Sequence, residues 1–160
     1  MNLTFPGGGG SARILGASAV AVSGAADTAE NILGTVTIPA GAMGVNGILR
    51  VEALWTVTNS ANNKTLRVRL GGIGGTQFIG NVVTTVATAR ALVSIANRGA
   101  ANSQISMANS FNTMWGSTTN AVTTAAIDTS AATTIVITGQ KASAGETLTL
   151  ESYLVELILP

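Results

Sequence analysis

Two stretches near the middle of the chain alternate apolar and polar residues with a period of two, and this pattern limits the possible folds more than any other feature. In residues 48–58 the apolar side chains occupy the odd positions, which are Leu49, Val51, Ala53, Trp55 and Val57. In residues 64–70 they occupy the even positions, Leu66, Val68 and Leu70. Because successive side chains of a strand point to opposite faces, each stretch predicts a β-strand with one buried face.

Further apolar and β-branched segments recur along the chain, and turn residues separate them. The predicted strands are residues 32–38, 48–58, 64–70, 76–79, 82–97, 121–127, 133–138 and 147–159. Residues 82–97 also fit a helical stripe of apolar side chains, but their β-branched content favours a strand. About eight short strands without a convincing helix predict an all-β fold, an antiparallel β-sandwich of the jelly-roll type.

We expect the two alternating stretches to form a hairpin. Closing the turn at Asn59 and Lys64 leaves a loop of four residues and keeps both apolar faces on one side. Trp55 and Val68 are then neighbours on the core face. The opposite face carries Arg50, Glu52, Arg67 and Arg69, and we predict this polar cluster as an interface.

The C-terminal strand is apolar at both parities in Tyr153-Leu154-Val155-Glu156-Leu157-Ile158-Leu159. A strand that is apolar on both faces must be covered on both. We expect the second sheet to cover one face and a neighbouring subunit to cover the other. Tyr153, Val155 and Leu157 are therefore further candidate interface residues.

The N-terminal residues 1–12 contain the run Gly7-Gly8-Gly9-Gly10. No Gly-Lys-Ser/Thr follows, so a phosphate loop is not indicated, and we predict a flexible arm. Residues 13–160 have the length of one domain with a sizeable core, and we predict a single β-sandwich there.

The chain contains no His and no Cys, which removes the most common acid/base group and the strongest nucleophile. Asp128 lies in a segment that resembles the Asp-Thr-Gly turn of aspartic proteases, but Ser130 replaces the glycine, so we expect Asp128 to begin a turn. Glu151 and Glu156 are five residues apart on one predicted strand and should point to opposite faces. We therefore expect no enzyme activity, no catalytic residue, no cofactor and no metal.

The charge of the chain is sparse and nearly balanced, with 9% charged residues and a net charge of +1. No basic run is present for binding nucleic acid, and no stretch reaches the roughly 20 apolar residues of a membrane span. Soluble domains usually carry about 25% charged residues, and a surface with so few charges tends to associate. The composition thus favours a protein whose surface is buried in an assembly.

Several segments resemble a β-sandwich module of tailed-bacteriophage virion proteins. They are residues 35–72, with Ile38-Pro39-Ala40-Gly41 and the alternating stretches described above, and residues 121–129, 137–140 and 144–151. The resemblance covers residues 31–160 and involves strands and turns, not catalytic residues. It implies a head decoration (cement) protein or a part of a tail fibre, commonly a homotrimer.

Because the chain has no repetitive stalk, we expect a capsid decoration protein in the virion, made in the host cytoplasm. Its partners are then other copies of itself in a homotrimer and the major capsid protein or another virion protein, with no nucleic acid and no membrane. The alternative is a tail-fibre or receptor-binding tip module that contacts host glycan. Trp115, in the predicted loop 99–120, is the candidate glycan contact in that case.

Overall fold

A computed structural model describes residues 10–108 and 121–160 of the chain. Within these ranges the chain forms strands and turns and no helix. The strands are β1 (Ser11–Ser18), β2 (Val22–Ser23), β3 (Asn31–Ile38), β4 (Ile48–Val57), β5 (Lys64–Leu70), β6 (Thr76–Val83), β7 (Thr88–Asn97), β8 (Gln104–Ser106), β9 (Thr123–Ala125), β10 (Thr133–Lys141) and β11 (Leu148–Leu159).

The strands form two antiparallel sheets that pack face to face. The larger sheet has seven strands in the order β1-β11-β4-β7-β8-β9, with β2 pairing beside β1 on β11. The smaller sheet has four strands in the order β3-β10-β5-β6. The prediction of an all-β antiparallel sandwich is confirmed, and the finer assignment to the jelly-roll type stays a prediction.

The hydrophobic core lies between the two sheets and consists of the side chains whose alternation is visible in the sequence. The residues fully buried there include Leu49, Val51 and Trp55 from β4, Leu66, Val68 and Leu70 from β5, and Ile135 and Ile137 from β10. Burial of a side chain of this size contributes about 1.5–3 kcal/mol relative to exposure. The predicted core faces of β4 and β5 are therefore confirmed.

The predicted hairpin between these two strands is wrong. β4 pairs with β11 and β7 in the larger sheet, whereas β5 pairs with β10 and β6 in the smaller one. Trp55 consequently lies beside Leu150 and Ala89 rather than beside Val68. The same alternation of apolar and polar residues is expected for two strands that pair side by side in one sheet and for two strands that face each other across the core. The loop after Val57 crosses from one sheet to the other, so β4 and β5 face each other.

The hairpin that does form joins β5 to β6 through residues 71–75. Gly71 and Gly72 have φ angles of +94° and +80°, in the left-handed region that glycine adopts at low cost. The sequence predicted a turn or bulge at these glycines. The strand that follows extends to Val83, four residues beyond its predicted end at Ile79.

The boundary predicted between an arm at residues 1–12 and the sandwich needs a correction at its inner end. Ser11 and Ala12 already belong to β1 and pair with Leu159 and Ile158 of β11. β1 lacks the strict alternation seen in β4, so the sequence gives no clear signal for it. Residues 1–9, which hold most of the predicted arm, lie outside the described residues.

The ambiguous residues 82–97 divide between two strands. Their first two residues complete β6, and the strand β7 runs over Thr88–Asn97, so the prediction of a strand there is confirmed. Of the predicted loop 99–120, the described part ends at Ala108 and includes the short strand β8. A buried amide network holds this region, because Asn97 Nδ2 donates to Thr129 Oγ1 at 2.8 Å and Gln104 Nε2 donates to Asn97 Oδ1 at 2.8 Å.

Candidate interaction surface

The four residues predicted as one polar cluster lie on opposite sides of the sandwich. Arg50 and Glu52 are on the outer face of the larger sheet, because they belong to β4. Arg67 and Arg69 are on the outer face of the smaller sheet, because they belong to β5. This separation follows from the crossing of the chain between β4 and β5, and it divides the predicted interface into two different surfaces.

The first surface is the outer face of β1, β11, β4 and β7, which we call the β4 face. Residues that pair across neighbouring strands share a face. Besides smaller Ala, Ser and Thr residues, the register assigns ten large side chains to this face: Ile14, Ile48, Arg50, Glu52, Leu54, Arg90, Leu92, Leu154, Glu156 and Ile158. Six of these ten large side chains are Leu or Ile, and Ile14 and Leu92 are 62% and 57% exposed. An apolar outer face of this kind is typical of a surface that binds another protein.

Two ion pairs lie among the apolar residues of the β4 face. Arg50 Nη1 is 3.3 Å from Glu156 Oε2, and Arg90 Nε donates to Glu52 Oε1 at 2.9 Å. The two arginine side chains are 50% and 61% exposed. Exposed pairs of this kind contribute about 0–1 kcal/mol to folding, so their charges remain available to a partner.

The second surface, on the smaller sheet, is organised around Glu30, which precedes β3. Arg69 donates to both oxygens of this carboxylate, from Nε and Nη2 at 3.0 Å each. Arg67 Nη1 lies 3.4 Å from Glu30 Oε2, and Thr138 Oγ1 donates to Glu30 Oε1 at 2.6 Å. We call these four residues the Glu30 cluster.

The Glu30 cluster is largely shielded from solvent, and its charged side chains are paired with one another. Its three charged side chains are 15–20% exposed. Burial by itself raises the pKa of Glu30, but the hydrogen bonds from Arg69 and Thr138 and the positive charges of Arg67 and Arg69 outweigh burial and hold the pKa below its ordinary value. The cluster therefore ties the segment before β3 to strands β5 and β10, and its predicted role as an interface is not indicated by this geometry.

The interface predicted on the C-terminal strand needs a correction. Val155 and Leu157 are buried in the core, where they pair with Val51 and Leu49 of β4. Tyr153 is half-buried and packs against the same core. The sequence correctly indicates that β11 is apolar on both sides, but the residues on the outer side are Leu154 and Ile158.

Two carboxylate predictions also have clear outcomes. Asp128 Oδ1 accepts from Ser130 N at 2.9 Å and from Ser130 Oγ at 2.6 Å, so Asp128 forms the predicted turn. The hydrogen bonds from Ser130 lower the pKa of Asp128.

Glu151 and Glu156 do not point to opposite faces, because a β-bulge between Leu150 and Ser152 places Glu151 on the outer face, where it accepts from Thr56 Oγ1. Trp115 lies outside the described residues.

Two buried lysines that were not predicted from the sequence lie at the end of the sandwich opposite the amide network. Lys64 and Lys141 are paired across β5 and β10, and both are less than 5% exposed. Lys141 Nζ donates to the backbone oxygens of Ala25 and Glu146 at 2.7 and 2.9 Å, and Lys64 Nζ donates to Ser60 Oγ at 3.0 Å. The available signal in the sequence was their position, because each lysine falls in step with the alternating core residues of its strand. The two lysines bind three loops together.

Glu146 lies beside these lysines. Hydrogen bonds from Ser60 and Asn62 lower the pKa of Glu146, and the nearby charges of Lys64 and Lys141 act in the same direction.

Among residues 10–108 and 121–160, no three His, Cys, Asp or Glu side chains stand together as a metal site. The same part of the chain contains no helix long and apolar enough to cross a membrane.

Comparison with known proteins gives structural likenesses only at low identity. No protein-family model and no curated protein sequence matches the chain. A CBM2 module of the evolved Dit of Lactobacillus casei BL23 phage J-1 is 12% identical, with a TM-score of 0.39, over 79% of this chain and 69% of that chain. A structure of infectious bursal disease virus strain Gx is 10% identical, with a TM-score of 0.29, over 94% of this chain and 40% of that chain. At these values neither likeness assigns a function.

Proposed function

We propose that this protein is a structural component of a tailed-bacteriophage particle, and that it is a decoration protein bound as a homotrimer to the outside of the head. The observation that carries the proposal is the β4 face, an outer sheet surface with six Leu or Ile side chains on a chain with 9% charged residues. Such a surface belongs to a protein that works inside an assembly. The resemblance of residues 31–160 to phage virion modules supports a virion as that assembly.

The proposed role is mechanical rather than chemical. A protein seated across the junctions between capsid subunits stabilises the shell by burying additional apolar surface, at roughly 25 cal/mol for each Å² removed from water. The arm of residues 1–9 would extend the contact to neighbouring subunits. The internally bonded Glu30 cluster and the buried lysines keep the sandwich itself rigid during this task.

Binding to phage heads tests the proposal. Purified protein is mixed with expanded heads that lack it, and the heads are then separated by sedimentation and heated. The proposal predicts saturable binding in multiples of three copies per site and a higher temperature of DNA release. A protein truncated to residues 10–160 serves as the control for the arm and should bind more weakly. Absence of binding, together with unchanged heat resistance of the heads, contradicts the proposal.

A further inference from the structure

We propose that the β4 face binds the β4 face of a second copy of this chain. The two copies are related by a two-fold axis that lies in the interface and runs perpendicular to the strands. The inference concerns the same face that supports the proposed function, and it assigns that face to pairing of the protein with itself rather than to direct contact with the head.

Four outward side chains of β4 are complementary to the same four read in the opposite direction. In sequence order they are Ile48, Arg50, Glu52 and Leu54, which is apolar, positive, negative and apolar, and Thr56 follows them. A two-fold axis between the second and third residue reverses the strand in the partner. Arg50 then faces the partner's Glu52, while Ile48 faces the partner's Leu54. A two-fold interface requires this kind of self-complementary surface.

The alternative axis, parallel to the strands, is disfavoured by the same residues. It would place Arg50 opposite Arg50 of the partner subunit, and Glu52 opposite Glu52 of the partner subunit. Like charges that face each other across an interface are costly, whereas opposite charges fix the register. The charge order therefore selects one of the two possible two-fold arrangements.

The charged residues remain free to make these contacts. Arg50 and Arg90 are half or more exposed, and their pairs with Glu156 and Glu52 lie within one face, so the two pairs together are neutral. Glu52 is 40% exposed. A second copy places the partner's Glu52 above Arg50 and the partner's Arg50 above Glu52, without removing the ion pair that each residue already has. The result is a four-residue network at the centre of the interface.

The surface is also large enough for a stable pair. β4 has ten residues. At about 3.4 Å per residue and about 4.8 Å between strands, the four strands of the β4 face cover roughly 650 Å² in projection. Side chains roughen the surface and increase the accessible area, and a standard protein interface buries about 800 Å² on each partner. The exposed Ile14, Leu54 and Leu92 would become buried in such a pair.

The outer face of the smaller sheet provides the contrast within the same molecule. Its outward side chains include the Glu30 cluster and hydroxyls such as Thr35 and Thr37 on β3, together with two exposed apolar residues, Ile32 and Val82. The charges there are already bonded to one another. Only the β4 face therefore combines exposed apolar residues with charges that can bind a second copy, among the residues that the structure describes.

Charge reversal tests the pairing. Arg50→Glu makes the centre of the β4 face doubly negative, and Glu52→Arg makes it doubly positive. Each variant alone should pair at least about 100-fold more weakly than the wild type, because like charges then face each other twice. An equimolar mixture of the two variants should regain the wild-type mass, since each negative centre meets a positive one. The measurement is sedimentation velocity across a range of protein concentrations.

The control is Thr35→Glu, which adds a negative charge to the outer face of the smaller sheet and should leave the mass unchanged. Thermal unfolding of all three variants shows that they fold. If the protein also forms a trimer through another surface, the single variants convert a hexamer to a trimer, so the mass is halved in either case. The proposal is overturned by single variants that keep the wild-type mass, or by a mixture that stays at half of it. Variants that keep their mass but lose binding to heads would assign the face to the capsid and overturn it as well.

Discussion

The two outer faces of the sandwich use the same types of charged residue, Arg and Glu, in opposite ways. On the smaller sheet, Glu30 lies between two arginines, and the three side chains are 15–20% exposed. On the larger sheet, the arginines of two separate pairs are 50–61% exposed and surrounded by Leu and Ile. A shielded, doubly bonded carboxylate contributes to folding, whereas an exposed pair contributes little and remains available to a partner. The exposure of the arginines and the number of bonds to each carboxylate, rather than residue type, therefore separate the structural face from the binding face.

Removal of one carboxylate from each face should give the largest difference between them. Glu30→Ala leaves Arg67 and Arg69 without their partner in a poorly hydrated site, and we expect the free energy of unfolding to fall by about 2–3 kcal/mol. Glu156→Ala removes an exposed pair with Arg50, and we expect a loss of less than about 0.5 kcal/mol. Urea unfolding followed by tryptophan fluorescence measures both. Equal losses would show that the two faces do not differ in this way.

Lowering the pH should give a smaller effect on the free energy of unfolding, through the titration of Glu30 on the smaller sheet. The pKa of Glu30 is lower in the folded protein than its ordinary value of about 4.3, so Glu30 stabilises the fold fully above that value. This stabilisation is lost as the pH falls through the lower, folded pKa. We expect wild-type protein to lose more free energy of unfolding between pH 6 and pH 3 than Glu30→Gln, in which this titration is absent. Parallel pH profiles for the two proteins would contradict the role given to Glu30.

The sequence predicted each strand's buried face better than it predicted strand partners. The alternation in β4 and β5 identified the core residues, because a period of two requires only one face to be buried. It did not distinguish pairing within a sheet from packing between sheets, and for this reason the hairpin and the single polar cluster were wrong. Turn glycines located the β5–β6 connection correctly, since Gly71 and Gly72 adopt φ angles that disfavour other residues.

Local irregularities account for the remaining differences. The bulge near Glu151 changes which face the later side chains of β11 point to, and no residue type in the sequence indicates this bulge. Strand β1 has no regular alternation, and a register shift between Ile14 and Gly16 changes its parity part-way along the strand. The candidate interface on β11 was therefore assigned to the wrong parity. Leu154 and Ile158 replace Val155 and Leu157 as the residues that a neighbour could cover.

The most direct test of the two-face account adds the same charge to matched apolar positions. Leu92 on the β4 face is 57% exposed, and Ile32 on the outer face of the smaller sheet is 49% exposed. Because both are exposed, Leu92→Asp and Ile32→Asp should each change the free energy of unfolding by no more than about 0.5 kcal/mol. Sedimentation velocity should show half the wild-type mass for Leu92→Asp and the full wild-type mass for Ile32→Asp. The same mass for both variants, or a halved mass for Ile32→Asp alone, would contradict the account.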